Sequence, residues 1–232
     1  MKRHAAPAKP ILKRPIFWVI LIVIIVIGGF TVGRKPIINL FNQATVTKPK
    51  PKPVKLTRHE KKIAKKYHLS PKATANAHSA KVTAIGDSVM VDIVPEMKQV
   101  FPRAIVDGEV GRQFYDLPTI AQNLKAQHKL ADNVVVNLGT NGPPEKTDIS
   151  RFLKVVGSKR QVYWINTHVP TQKWESQTNQ LITSTAKHNR NVHVVDWHGR
   201  SENQPNWFAD DEVHLQTKGA IAYVGLLANT MA

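Results

Sequence analysis

Beyond residue 80 the chain alternates, five times in succession, a short β-branched run with a longer amphipathic stretch. The runs lie at residues 82–85, 104–106, 134–138, 161–165 and 192–195. The stretches after them reach from Ser88 to about 100, from Asp116 to about 129, then 147–156, 172–187 and 217–231. Pro95 splits the first of these or sits in its early part. Parallel strands need a crossover of a dozen or more residues between them, and the first four stretches with their flanking loops supply the four that five strands require. Residues 134–138 (VVVNL) are apolar enough for a strand buried on both faces. The expected fold class is therefore α/β, a three-layer α/β/α domain over residues 81–232 with a central five-stranded parallel sheet. The chain has no cysteine, so neither a disulfide framework nor a thiol nucleophile is available.

Ahead of this domain the sequence changes character. Residues 15–33 carry no charge, and residues 16–27 read IFWVILIVIIVI without a break. Those nineteen uncharged residues, as a helix, reach roughly 28 Å, about the thickness of a bilayer core. Trp18 near one end suits an interfacial position. One uncleaved transmembrane helix is expected over 15–33, with a buried core helix and a cleaved signal peptide as the alternatives. Thr31-Val32-Gly33 imitates a small-x-small cleavage site only poorly. Lys2, Arg3, Lys9, Lys13 and Arg14 precede the span, and only Arg34 and Lys35 follow it directly. The positive-inside rule then puts residues 1–14 in the cytoplasm and the large domain outside, a single-pass protein of the cell membrane.

The formal net charge of +17 is unevenly spread. Residues 1–80 hold 17 Lys/Arg against one acid, Glu60, whereas residues 81–232 hold 16 against 15. The domain is nearly neutral and shows no interleaved basic and aromatic residues, so no specific nucleic-acid partner is expected. The positive charge belongs to a spacer over 34–80. Within it Lys48-Pro49-Lys50-Pro51-Lys52-Pro53 favours an extended polyproline II chain. Thr57-Arg58-His59-Glu60 reads as a capping box that opens a short basic helix with Ile63 and Tyr67 on one face, and Pro71 is expected to stop it. The plain expectation is a solvated spacer with a transient helix. A segment so basic also suits docking on an anionic wall polymer or on lipid headgroups.

Three strings carry chemistry: Gly86-Asp87-Ser88, Gly139-Thr140-Asn141 and Asp211-Glu212-Val213-His214. In a parallel α/β sheet the functional site lies outside the carboxyl ends of the strands. Ser88 follows the first expected strand, Gly111 the second and Asn141 the third, while Asp211 and His214 occupy the loop before the last helix. Ser88 is thus a candidate nucleophile, His214 its base and Asp211 the carboxylate that orients the base, with Asp210 as a near competitor. The backbone N–H groups of Ser88 and Gly111 and the Asn141 amide are candidate donors to an oxyanion. Each residue alone has a plainer reading: a helix N-cap for Ser88, a turn for Gly111 and Asn141, a surface histidine for His214. Met90 stands where G-x-S-x-G would need its second glycine, which disfavours an α/β-hydrolase elbow. His168, just past the fourth strand, is a candidate substrate contact or a structural histidine. The remaining histidines show no metal-ligand spacing, and neither a metal nor another cofactor is expected.

The set Ser88, Gly111, Asn141 and Asp211 with His214 resembles the SGNH/GDSL hydrolase superfamily across residues 81–232. Its fold is flavodoxin-like. More narrowly, Val110-Gly111-Arg112-Gln113, the string from Trp164 to Pro170 with Trp174-Glu175, and Val195-Asp196-Trp197 resemble the extracytoplasmic C-terminal domain of peptidoglycan O-acetyltransferase A type proteins. The resemblance implies acetyl-ester chemistry on cell-wall glycan of a Gram-positive bacterium through an acetyl-serine intermediate. The acceptor is a sugar hydroxyl in a transferase and water in an esterase. An inactive wall-binding relative is the remaining alternative. Full-length members carry a large multi-span acyltransferase domain, whereas this chain has one apolar span. The expected partners are therefore the glycan as substrate and a separate multi-span acyltransferase as acetyl donor.

Overall fold

The structure is a computed structural model and describes residues 54–232. The apolar segment at 15–33, the basic residues before it and the Lys-Pro repeat lie outside the described residues. Among the described residues no helix is long and apolar enough to cross a membrane.

Five parallel strands form one sheet: β1 (Val82–Gly86), β2 (Ala104–Gly108), β3 (Asn133–Asn137), β4 (Gln161–Ile165) and β5 (Val192–Val195), in the order β2-β1-β3-β4-β5. The order reverses between β1 and β3, and a doubly wound sheet opens its crevice at such a switch point. Strand period sorts the core into two layers. Val82 and Ala84 of β1, Val135 of β3 and Ile165 of β4 face one cluster, while Ile85, Val134, Val136, Val162 and Trp164 face the other.

The second of these clusters is covered by α5 (Leu117–Ala126), α6 (Lys146–Val156) and α7 (Glu175–His188), through Leu117, Ala121, Phe152 and Ile182. The first is covered by α3 (Ser88–Asp92), α4 (Val94–Val100) and α9 (Thr217–Thr230), through Met90, Met97, Tyr223 and Val224. The short α8 (Trp197–Ser201) adds Trp197 to the same layer. Pro95 does split the helical stretch after β1: Ile93 ends α3, and Pro95 stands in the first turn of α4. Proline is tolerated there because the first-turn N–H groups have no intrahelical acceptor in any case.

The compact unit takes in residues that the sequence assigns to the spacer. The capping box at Thr57 and Glu60 is present and opens α1 (Arg58–Lys66). Pro71 does not end the helical run for good. Ser70 caps a second helix, α2 (Pro71–Ser79), with Pro71 in its first turn. Ile63, Tyr67, Leu69, Ala73 and Ala77 are all buried in the first core cluster. Burial of five apolar side chains, rather than local propensity, holds these two short helices in place.

Gly219, in the first turn of α9, marks a tight crossing. The 3₁₀ turn Pro205–Trp207 passes so close that a Cβ at residue 219 would stand 2.2 Å from the Trp207 carbonyl oxygen. That oxygen also accepts the Gln216 N–H at 2.9 Å, which closes the base of the loop carrying Asp211 and His214. Gly219→Ala is expected to cost about 1–3 kcal/mol as overpacking, and to lower the melting temperature by about 2–4 °C per kcal/mol for a domain of this size. A thermal melt of variant against parent reads it directly.

Candidate active site

Ser88 stands at the switch point. β1 ends at Gly86, and the Asp87 N–H donates to the Asn137 carbonyl at the end of β3, 3.2 Å away. The Asp87 carboxylate then caps α3 by accepting the Val89 N–H at 3.1 Å. Ser88 is the first residue of that helix, so its own N–H has no intrahelical acceptor. It is only 7% exposed. Its hydroxyl makes no hydrogen bond to another described residue, so the helix does not need it as a cap. Asp87 fills that role.

The Asp211–His214 pair is formed. Asp211 Oδ2 meets His214 Nδ1 at 2.6 Å, and Asp211 Oδ1 accepts the N–H groups of Val213 and His214 at 3.0 Å each. Three donors on one carboxylate hold its pKa down to about 2, the His214 side chain being the largest cause. The same bond raises the His214 pKa above its ordinary value, with partial burial opposing and the charges of Asp211, Asp92 and Asp87 assisting. Asp210 takes no part in the pair, and the three-residue spacing selects Asp211 as the sequence suggested. The loop is fixed at both ends. Ala209 N–H donates to the His214 carbonyl at 2.8 Å, and Leu215 N–H donates to Asp92 Oδ2 at 2.9 Å. Asp92 is the last residue of α3, so this bond ties the histidine loop to the serine helix. No hydrogen bond joins Ser88 to His214. Such bonds are commonly loose without substrate and tighten on binding.

The loop after β3, with Asn141, meets the loop after β2, with Gly111. Asn141 Nδ2 donates to the Arg112 carbonyl at 3.1 Å, which leaves its second amide hydrogen free. Gly111 has φ of 75° and a Cβ there would meet nothing within 4 Å. The glycine is thus required by its left-handed backbone and not by lack of space.

Several residues that sequence reasoning did not assign hold these loops. The Arg112 guanidinium, buried, donates to the carbonyls of Gly86 (2.9 Å) and Asp107 (2.6 Å) and pairs with Asp107 Oδ1 at 2.7 Å. It thereby clamps the Gly111 loop to the ends of β1 and β2. Trp174 Nε1 donates to the Gly139 carbonyl at 3.1 Å and steadies the Asn141 loop. Arg112 and Trp174 both stand in the strings that carried the resemblance, but a string does not reveal which backbone oxygens they reach. Asp87 is fully buried, and burial raises its pKa to about 6 against the opposing bonds to Val89 and Thr140 and the charge of His214.

His168 is not joined to this set by any hydrogen bond. Its ring stacks on Phe208 at 4.5 Å, and it lines a cleft with Asp210 and Glu212. Among the described residues no cluster of His, Asp or Glu is arranged to hold a metal ion.

No protein-family model matches the chain. Among solved structures it is similar to a GDSL-like lipase from Bacteroides thetaiotaomicron, with a TM-score of 0.55 and 16% identity over 75% of this chain and 97% of that one. The two share one fold, a five-stranded parallel sheet between two layers of helices. It is similar too to the C-terminal catalytic domain of Streptococcus pneumoniae peptidoglycan O-acetyltransferase A. The TM-score is 0.57 and the identity 20%, over 65% of this chain and 89% of that one. In sequence it is 41% identical over 159 residues to peptidoglycan O-acetyltransferase OatA of Listeria monocytogenes, taking in 68% of this chain and 25% of that protein. The chain therefore spans about a quarter of the length of the curated relatives it matches.

Proposed function

We propose that the chain is a membrane-anchored serine enzyme that moves acetyl groups on cell-wall glycan outside the cell, through an acetyl-Ser88 intermediate. The observation that carries the reading is the Asp211–His214 pair tied by Asp92 to the helix that Ser88 begins. The named activity of its relatives supports the substrate class.

In the first half-reaction the Ser88 hydroxyl attacks the carbonyl carbon of an acetyl ester while His214 Nε2 takes its proton. Asp211 keeps Nδ1 protonated and stabilises the imidazolium that results. Negative charge gathers on the former carbonyl oxygen, where the N–H groups of Ser88 and Gly111 and the free Asn141 amide hydrogen receive it. The intermediate collapses, the donor alcohol leaves with the proton from His214, and acetyl-Ser88 remains. In the second half-reaction an acceptor hydroxyl loses its proton to His214, attacks the acetyl-enzyme, and Ser88 recovers its proton. With a sugar hydroxyl as acceptor the enzyme is an O-acetyltransferase, and with water an esterase.

The anchor at 15–33 and the basic spacer belong to the same proposal. They would keep the domain at the outer face of the membrane, where a multi-span acyltransferase is the natural source of acetyl groups, and the spacer's lysines suit an anionic wall polymer or lipid headgroups.

The test is direct. Purified protein mixed with p-nitrophenyl acetate and quenched early is expected to show one added acetyl group on the peptide that contains Ser88, by mass spectrometry. Adding a chitooligosaccharide should divert acetyl from water to sugar. An acetyl group found on another residue, or on none during turnover, would sink the acyl-enzyme reading.

A further inference from the structure

The Asp211–His214 loop carries a second set of side chains that the proposed chemistry does not use. Asp210 and Glu212 border a cleft of about 590 Å³ that neither Asp211 nor His214 lines. Glu212 has φ of 60° and Asn203, also in the cleft wall, has φ of 59°. Left-handed backbone is uncommon for a residue such as Glu, and it persists where the surroundings impose it, often at ligand sites. A third wall comes from the exit of β4. There the His168 ring stacks on Phe208 at 4.5 Å with 24° between the planes. Burial holds the His168 pKa below its ordinary value, so the ring is a neutral face at pH 7.

The chemistry of the walls narrows the ligand. No Lys or Arg lines the cleft, so a phosphate or carboxylate would face Asp210 and Glu212 without a counter-charge. An acyl chain would strip water from Asn203, Asn206 and Gln216 and return no hydrogen bonds. A neutral ligand dense in hydroxyl and amide groups fits: carboxylates accept from hydroxyls, side-chain amides both donate and accept, and the stacked rings offer an apolar floor. The position fits as well. Glu212 and His214 are two residues apart, at most about 7 Å of chain.

We propose that this cleft is a saccharide subsite, holding the sugar adjacent to the one whose acetyl ester is made or broken at Ser88. This rests on the acetyl-transfer reading above. Asn206 and Glu212 bind hydroxyl or acetamido groups there, and the His168–Phe208 stack supports the ring face. The subsite sets which glycan position reaches Ser88 and contributes nothing to the attack itself.

The experiment uses the full chain with two substrates and one binding probe. For Asn206→Ala and for Glu212→Gln, kcat/KM for transfer to chitotetraose is expected to fall about tenfold further than kcat/KM for p-nitrophenyl acetate hydrolysis, with the difference in KM. Equal losses on both substrates would overturn the subsite. Separately, chitotetraose is titrated into Ser88→Ala protein and into Ser88→Ala with Asn206→Ala, by calorimetry. Binding weakened about tenfold by the second substitution supports the proposal, and unchanged binding overturns it. The fully de-N-acetylated tetramer should bind more weakly than chitotetraose. Tighter binding would mean that the two carboxylates attract ammonium groups, and the saccharide assignment would fail. These binding arms do not depend on the acyl-enzyme, so the subsite and the acetyl-Ser88 reading stand or fall separately.

Discussion

Ser88→Ala is expected to lower kcat for acetyl transfer and for p-nitrophenyl acetate hydrolysis by about 10⁴- to 10⁶-fold, the range for loss of a serine nucleophile. The protein should fold as before. The Ser88 hydroxyl bonds to no described residue, and the helix it begins is capped by Asp87. An unchanged melting temperature beside a collapsed rate separates a chemical role from a structural one. No acetyl group should appear on the corresponding peptide. Retention of more than a small fraction of parental kcat would remove Ser88 from the mechanism and leave the loops around it without a nucleophile.

The second large effect is expected from Asp211→Asn. The asparagine keeps the shape but brings no negative charge, and it can donate to Nδ1 and so force the wrong tautomer on His214. A fall in kcat of about 10³- to 10⁴-fold follows from that exchange. The pH profile gives an independent reading. The proposed mechanism needs neutral His214 as the base. Because its pKa is raised, first by the Asp211 hydrogen bond, the acid limb of kcat/KM should lie above the ordinary histidine value of about 6.5. Asp211 itself stays ionised down to about pH 2, so the limb reports the histidine. Removing the carboxylate removes the largest cause of the raised pKa, and the residual activity should show an acid limb shifted to lower pH. Asp92 and Asp87 still face the imidazole, so part of the shift should survive. A limb that stays in place in Asp211→Asn would assign the titration to another group.

Much of this arrangement was legible in the chain. The five strands were readable because a parallel sheet buried on both faces demands apolar runs with helical crossovers between them, and β4 and β5 have the bounds read from sequence. The Asp211–His214 pair was readable because three residues of loop suffice to bring the two side chains together. What escaped were interactions that reach across the fold. Pro71 looked like a helix stop, yet it starts α2, because Ser70 supplies the cap and the core receives Ala73 and Ala77. Asp92 drew no reading from the sequence, and only its 123-residue reach to Leu215 ties the loop of His214 to the helix that Ser88 begins. Arg112 gave no sign that its guanidinium would bind carbonyls on two strands.

The order of hydrophobic runs, the three strings that hold the candidate site residues and the uneven charge are properties of neighbouring residues, and the sequence by itself determined them. Sheet order, the tie of the Asp211–His214 loop to the helix that Ser88 begins, and the cleft between the β4 exit and the histidine loop were decided only by the tertiary structure. The physical reason is range. Periodicity, capping and turn chemistry act over a few residues and leave their mark in local composition. A crevice at a topological switch point exists only when strands far apart in the chain are packed side by side, and no short stretch of this sequence carries that information alone.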